Sequence, residues 1–224
     1  MKFFISWPLL PKRSVVGSVF AVAVALAGCA SKPTLYYTLV KPATAQGASD
    51  AFNPGNAPAA NNGAEPLYIE LSPLSLPERL VRPQMVLRHN GDASAQVDVL
   101  EQHRWASSFE DELRDALSSG VASRLSAFDA SKGGRQASQP VYRIVLQVRR
   151  FDVIEATRVD GSFTWTVKRS DETVPTACSF DTSEPVGAGI DAAAQGAQRV
   201  TATTASAIAR SVTAARAKPG GTCE

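Results

Sequence analysis

The segment VYRIVLQVRRFDVI, residues 141–154, decides the fold of this chain. Its first half alternates apolar and polar side chains, which is the pattern of a β-strand with one buried face. After Arg149-Arg150 the apolar positions shift by one residue, to Phe151 and Val153, which predicts a bulge or bend. A strand of this length needs neighbouring strands and a second layer that covers its apolar face.

Other segments predict those neighbours. Phe163, Trp165 and Val167 alternate with polar residues, which predicts a return strand that follows a hairpin turn at Asp160-Gly161. Another hairpin is predicted around Asn90-Gly91. The remaining predicted strands are residues 36–40, 67–71, 82–88, 96–100 and 177–180.

Two segments predict helices. Apolar residues recur every four positions from Trp105 to Leu125, and Ser107 with Glu110 forms a capping-box pattern that would begin the helix at about Ser108. An alanine-rich segment, about residues 189–217, predicts a second helix whose small residues permit close packing against a sheet or another subunit. The order of elements indicates an α+β fold, a two-layer sandwich with a mostly antiparallel sheet covered by two main helices.

The N-terminal residues have the pattern of a signal peptide. Lys2, Lys12 and Arg13 precede an uncharged apolar run that ends at Leu26-Ala27-Gly28-Cys29. This junction resembles the lipobox of bacterial lipoproteins. The resemblance implies that residues 1–28 are cleaved and that Cys29 becomes an acylated first residue, which anchors the protein permanently to a membrane. The alternative is a soluble secreted protein with an incidental cysteine.

The remaining chain is predicted to contain one domain. Residues 29–35 form the lipidated tether, residues 36–217 a single α+β domain, and residues 218–224 a tail. A loop at residues 41–66 is rich in alanine, asparagine, glycine and proline, and such a segment buries too little apolar surface to offset the entropy of ordering it. We therefore expect this loop to be mobile.

Charge argues against nucleic-acid binding. The leader holds three of the 23 basic residues and none of the 21 acidic ones, so the mature chain is formally minus one. It has no cluster of lysine and arginine that would attract phosphates.

Two cysteines remain after lipidation, Cys178 and Cys223. In an oxidising periplasm this pair suggests a disulfide that would hold the C-terminal tail. The alternative is two free thiols, one in a strand and one on a frayed tail beside Gly220 and Gly221.

The sequence contains no pattern of catalytic chemistry. His89 and His103 lie at no metal-ligand spacing from a cysteine or a second histidine, and no nucleophile or phosphate-loop motif occurs. The carboxylates at 110, 111, 112 and 115 fit a helix N-terminus and a solvated face. We therefore expect no catalytic residues, no metal, no cofactor and no enzymatic activity.

Three motifs together carry a further resemblance. They are Tyr36-Tyr37-Thr38-Leu39, the stretch from Leu76-Pro77 to Arg82-Pro83-Gln84-Met85-Val86, and Arg104-Trp105-Ala106. In this order they resemble the PqiC-like auxiliary lipoproteins of ABC-type transporters. The loop at 41–66 is longer than in that family, and Ser107-Ser108 replaces an acidic residue and a proline.

The resemblance implies a periplasmic lipoprotein that assists an MCE-domain transport protein with its ABC ATPase and permease, in moving lipids or other hydrophobic molecules between two membranes. Ala30 after the cysteine, in place of aspartate, implies the outer membrane. The candidate partner contacts are Tyr36, Tyr37, Arg82, Gln84 and Trp105, for which core packing or, at Arg82, an ion pair is the alternative. A homo-oligomer, a lipid carrier and an envelope scaffold or enzyme activator are left open.

Overall fold

The long strand expected from Tyr142 onward forms the centre of a sheet. The computed structural model describes residues 32–40, 66–88, 95–133, 135, 137–221 and 223. Its strands are β1 (Leu35–Tyr37), β2 (Tyr68–Leu71), β3 (Gln84–Arg88), β4 (Val97–Trp105), β5 (Phe128–Asp129), β6 (Tyr142–Ile154), β7 (Arg158–Arg169) and β8 (Thr176–Pro185), and its helices are α1 (Phe109–Leu125) and α2 (Ile190–Ala217). Short 3-10 helices occur at Glu78–Leu80 and Ala130–Lys132.

The sheet is mixed, with the long ladders antiparallel. β7 pairs with β6 along nearly its whole length, and β8 pairs with β7. On its other side β6 pairs in parallel with β2 near one end and with β3 near the other. β4 continues the sheet antiparallel to β3, and β1 and β5 add short parallel pairs at β4 and β2. The register of β6 shifts between Val148 and Arg150, which confirms the predicted bulge.

Both helices cover the same face of the sheet, and the core lies between the two layers. Ile144, Leu146 and Phe163 from the sheet and Leu117 and Ile208 from the helices are fully buried. The indole Nε1 of Trp165 on β7 donates a buried hydrogen bond of 2.9 Å to Ser211 Oγ on α2. The predicted α+β two-layer sandwich is thus confirmed.

The turn after the long strand was predicted at the wrong residues. β6 continues to Ile154, and the chain reverses at residues 155–157, where Ala156 has a φ of 51°. Asp160 and Gly161 lie inside β7. A Cβ on Gly161 would come within 2.8 Å of Val200 Cγ1 on α2, so this glycine serves helix packing, not a turn.

The start of the first helix also differs from the prediction. Ser108, not Ser107, is the N-cap, and its Oγ accepts a hydrogen bond of 3.1 Å from the backbone N–H of Asp111. Trp105 does not begin the helical stripe, because it is the last residue of β4. The same four-residue spacing continues across the strand and the helix because both direct their apolar residues to one core.

Several boundaries were approximate. The strand predicted at 36–40 is Leu35–Tyr37, and the strand predicted at 177–180 extends to Thr176–Pro185. The residues predicted at 82–88 and 96–100 do pair, as β3 and β4, whereas the turn at Asn90-Gly91 lies outside the described residues. So do the signal peptide and residues 41–65 of the predicted loop.

Residues Thr34–Glu224 form one compact unit. Among the residues that the structure describes, neither helix is long and apolar enough to cross a membrane.

Candidate docking site

The three sequence motifs meet at one corner of the sheet. In the ladder, Tyr36 on β1 lies beside Arg104 on β4, and Arg104 lies beside Gln84 on β3. The backbone N–H of Trp105 donates to Pro83 O at 2.7 Å, which joins the second and third motifs. We call residues 35–39, 81–84 and 104–106 the motif corner.

The outer side of the motif corner combines exposed apolar groups with fixed charges. Tyr36 and Val81 are 66% and 59% exposed, and Leu35, which alternates with Tyr36 and points to the other face of β1, is 49% exposed. Beside them Glu101 accepts hydrogen bonds from Arg104 Nη2 at 3.3 Å and from Gln84 Nε2 at 3.4 Å. Apolar side chains bordered by ordered polar groups are typical of protein contact surfaces.

The inner side of the motif corner belongs to the core. Trp105 is 4% exposed, and its ring centroid lies 5.6 Å from that of Phe109. Tyr37 is half-buried, and its hydroxyl lies 3.0 Å from His103 Nδ1. Burial raises the pKa of Tyr37 most, and hydrogen bonding to Asp191 and the negative charge of Asp191 raise this pKa further. Trp105 and Tyr37 therefore shape the surface from beneath, while Tyr36 and Gln84 reach solvent.

A buried carboxylate ties the chain after β1 to the helices. Glu112 on α1 accepts hydrogen bonds from Thr38 Oγ1 and from the backbone N–H of Leu39, both at 2.8 Å. From α2, Gln198 Nε2 donates to Thr38 O at 2.8 Å. We call these contacts the Thr38–Leu39 clamp.

The placement of Glu112 contradicts the sequence interpretation. Glu112 is 8% exposed and does not lie on a solvated helix face. Glu112 lies one turn after Phe109 and next to the buried Leu113, and this position in the sequence indicates the buried side of the helix. The prediction of a solvated face followed from the negative charge of Glu112 and not from its position on the helix. A buried carboxylate is physically acceptable when several donors bond to it.

Arg82 has an incompletely satisfied side chain. Its Nε is buried and has no hydrogen-bond partner. The backbone N–H of Arg82 donates to Leu80 O at 2.8 Å, which fixes the turn before β3. A buried donor without a partner costs free energy, and this cost is part of the energetics of the turn before β3.

Cys178 and Cys223 lie next to each other in the structure. Cys178 on β8 and Cys223 have Cα atoms 5.4 Å apart, within the range of a disulfide, and their sulfur atoms are in bonding contact. Cys29 lies outside the described residues, as does His89. Within the described ranges no group of three or more His, Cys, Asp or Glu residues is placed to hold a metal ion.

The chain is similar to one protein family and to several solved structures. The family model of ABC-type transport auxiliary lipoprotein components matches residues 51–209. A crystal structure of an uncharacterized protein is similar, with a TM-score of 0.58 and 16% identity over 81% of this chain and 99% of that one. A DUF330 protein from Xanthomonas campestris has a TM-score of 0.47 and 18% identity over 67% of this chain and 86% of its own. No curated protein matches the sequence.

Proposed function

Since this chain belongs to the family of ABC-type transport auxiliary lipoprotein components, we propose that it is an outer-membrane accessory subunit of an ABC transport system with an MCE-domain protein. That system would move lipids or other hydrophobic molecules between the inner and outer membranes. The protein would act by docking and not by catalysis.

The observation that carries this proposal is the convergence of the three motifs beside the entry point of the tether. Leu35, Tyr36 and Val81 expose apolar surface at the motif corner, and the chain that leads to the anchor enters β1 at the same corner. We propose that Cys29 carries the lipid after cleavage of residues 1–28. Five residues, Ala30 to Thr34, then separate Cys29 from β1, a reach of about 20 Å from Cys29 to Leu35 when fully extended.

This arrangement would present the motif corner close to the membrane. A docking surface held by a short link has a high effective concentration for a transporter that reaches the same membrane. The alternating charges of Arg104 and Glu101 beside the apolar group would then orient the partner.

Co-purification tests the docking surface. We expect Tyr36→Ser with Val81→Ser to abolish co-purification with the MCE-domain protein while the melting temperature stays within about 2 °C of wild type, because both side chains are exposed. Val174→Ser is the matched control, since Val174 is 57% exposed but lies in the β7–β8 connection. Unchanged co-purification of the double variant would contradict the assignment of the motif corner.

Fractionation tests the anchor. We expect Cys29→Ser to prevent acylation and to remove the protein from the outer-membrane fraction, while the wild type fractionates there. An intact mass without acyl groups in the wild-type mature protein would refute the anchor. Recovery of the acylated protein with the inner membrane would refute only its location.

A further inference from the structure

The face of the sheet opposite the helices carries a groove. It has a volume of about 650 Å³ and runs over β6, β7 and β8. Its outward side chains lie in two rows across the strands, Val145–Thr166–Ala177 and Gln147–Thr164–Ser179. Pro73 and Ser75 form one wall. We call this surface the open groove.

The floor of the open groove permits close approach. Val145 is 50% exposed at its centre, and its neighbours across the strands are threonine and alanine, which are short. The second row adds hydroxyl and amide groups that can donate and accept hydrogen bonds. A bound segment would therefore gain both apolar contact and hydrogen bonds.

Basic residues lie at both ends of the open groove. At one end Arg143 and Lys168 are directly opposite each other across β6 and β7, and like charges in this position destabilise a sheet. At the other end, at the bulge, Arg149 and Arg150 are both exposed. The isolated domain therefore retains repulsion that an anionic partner would relieve.

Neighbouring acidic residues compensate only part of this charge. Glu70 forms an ion pair of 3.4 Å with Arg143. Further along the same face Asp152 pairs with Arg79 at 3.1 Å and Asp160 pairs with Arg158 at 3.1 Å. Asp181 lies one strand beyond Ser162 in the row of Arg150. Among the described residues Lys168, Arg149 and Arg150 make no ion pair.

We propose that the open groove binds an acidic, extended segment of a partner protein, with carboxylates at both ends and small apolar side chains between them. Arg143 and Arg149, at the two basic ends, are six positions apart on β6, which corresponds to about 20 Å. Threonine, serine and glutamine on the floor favour a peptide over a membrane surface, because interfacial membrane binding uses large apolar and aromatic side chains. The proposal concerns a different surface from the motif corner.

A peptide-binding experiment tests the proposal without the transporter. The probe is a short synthetic peptide with two aspartates at each end and alternating alanine and valine between them, and a lysine-ended peptide is its counterpart. Binding to the full chain in detergent micelles is measured by calorimetry. We expect the acidic peptide alone to bind, more weakly at high salt, and to crosslink to a photoreactive residue at position 145 but not at position 174.

Matched variants localise the binding. We expect Arg149→Gln, Arg150→Gln and Lys168→Gln together to weaken binding of the acidic peptide about tenfold. The control combines Arg210→Gln, Arg216→Gln and Lys218→Gln, three exposed cations of α2 and its C-cap, and should bind as wild type does. Equal binding by both triple variants, or no preference for the acidic peptide, would overturn the proposal.

Vesicles with and without anionic lipid distinguish a membrane surface. If the groove variant loses binding to anionic vesicles and keeps its binding to the peptide, the open face contacts lipid and the proposal is wrong. Failure of the motif-corner variant to affect co-purification would leave the peptide result standing, so the two proposals fail independently.

Discussion

At the scale of single residues, carboxylates that accept several hydrogen bonds hold separate parts of the chain together. Glu112 receives hydrogen bonds from Thr38 and Leu39, more than seventy positions earlier. Asp129 on β5 accepts hydrogen bonds from Ser118 Oγ on α1 at 2.5 Å and from Ser131 Oγ at 2.6 Å. Both acids hold local structure through these hydrogen bonds, so their substitution should change stability before it changes function.

Removal of the Glu112 carboxylate should release the clamp. We expect Glu112→Ala to lower the free energy of unfolding by about 1–3 kcal/mol, because the backbone N–H of Leu39 loses its acceptor in a buried site. Chemical denaturation measures the loss, and amide exchange at Leu39 should quicken. Asp115→Ala, at a side chain that is 65% exposed on the same helix, should change stability by no more than about 0.5 kcal/mol.

Asp129 should make stability depend on acid pH. Desolvation raises its pKa, but hydrogen bonds from Ser118 and Ser131 and the charge of Lys132 outweigh it, so the pKa is lowered. A lowered folded pKa stabilises the protein above the unfolded value of about 3.9, and this contribution is lost as the pH falls through the folded pKa. Asp129→Asn should therefore destabilise at pH 7 and become nearly neutral at the lowest pH where the fold persists. A constant difference across pH, measured by urea unfolding, would contradict this.

At the scale of elements, alternation and helical period predicted the central hairpin and both helices, whereas close packing and short parallel pairs escaped prediction. The bulge in β6 could be predicted because the exposed pair Arg149-Arg150 interrupts the alternation of apolar residues. Gly161 was predicted in a turn because Asp-Gly favours turns locally. The sequence does not show that a helix packs against this glycine. β1 was predicted as a strand, but its pairing with β4 could not be predicted, because a three-residue parallel pair has no local sequence signature. The sequence therefore predicted the residues of the motif corner, but their arrangement in space depends on the pairing of β1 with β4.

Gly161 should be required for the seating of α2. A Cβ there would lie 2.6 Å from Phe163 Cε2 and 2.8 Å from Val200 Cγ1. We expect Gly161→Ala to cost about 1–3 kcal/mol through overpacking. Gly187→Ala is the control, because its Cβ would meet Ala192 Cβ at an ordinary 3.9 Å. A thermal melt of both variants decides, and equal melting temperatures would show that the contact relaxes freely.

The pairing of Cys178 with Cys223 should stabilise the C-terminal end. A crosslink that spans 45 residues contributes about 4 kcal/mol in the chain-entropy model. We expect Cys223→Ser to lower the melting temperature and to make it insensitive to reductant, while the wild type loses stability on reduction. Two alkylatable thiols in the unreduced protein would show that the bond is absent.

At the scale of the whole molecule, the two faces of the sheet have different roles. One sheet face is covered by α1 and α2 and supplies the core, while the opposite face carries the open groove. The motif corner lies where β1, β3 and β4 meet, on the side of β6 away from β8. The domain therefore has room for two different contacts at once.

Tether length should matter more than loop length. A flexible insertion between Ser31 and Tyr36 should weaken transport by loosening the position of the domain, whereas deletion of residues 45–62 should leave fold, localisation and transport nearly intact. A permeability assay in a strain that depends on the transporter measures both. Loss of function from the deletion alone, with a harmless insertion, would make the loop the working part.

The Thr38–Leu39 clamp also has a mechanical consequence. Chain ends near a terminus usually fray first, but here the strand nearest the proposed anchor is bonded through Thr38 and Leu39 to both helices. Tension on the lipid would thus pass from β1 into α1 and α2 together and spread over the core. A protein pulled between a membrane and a partner would yield elsewhere before its attachment point peeled away.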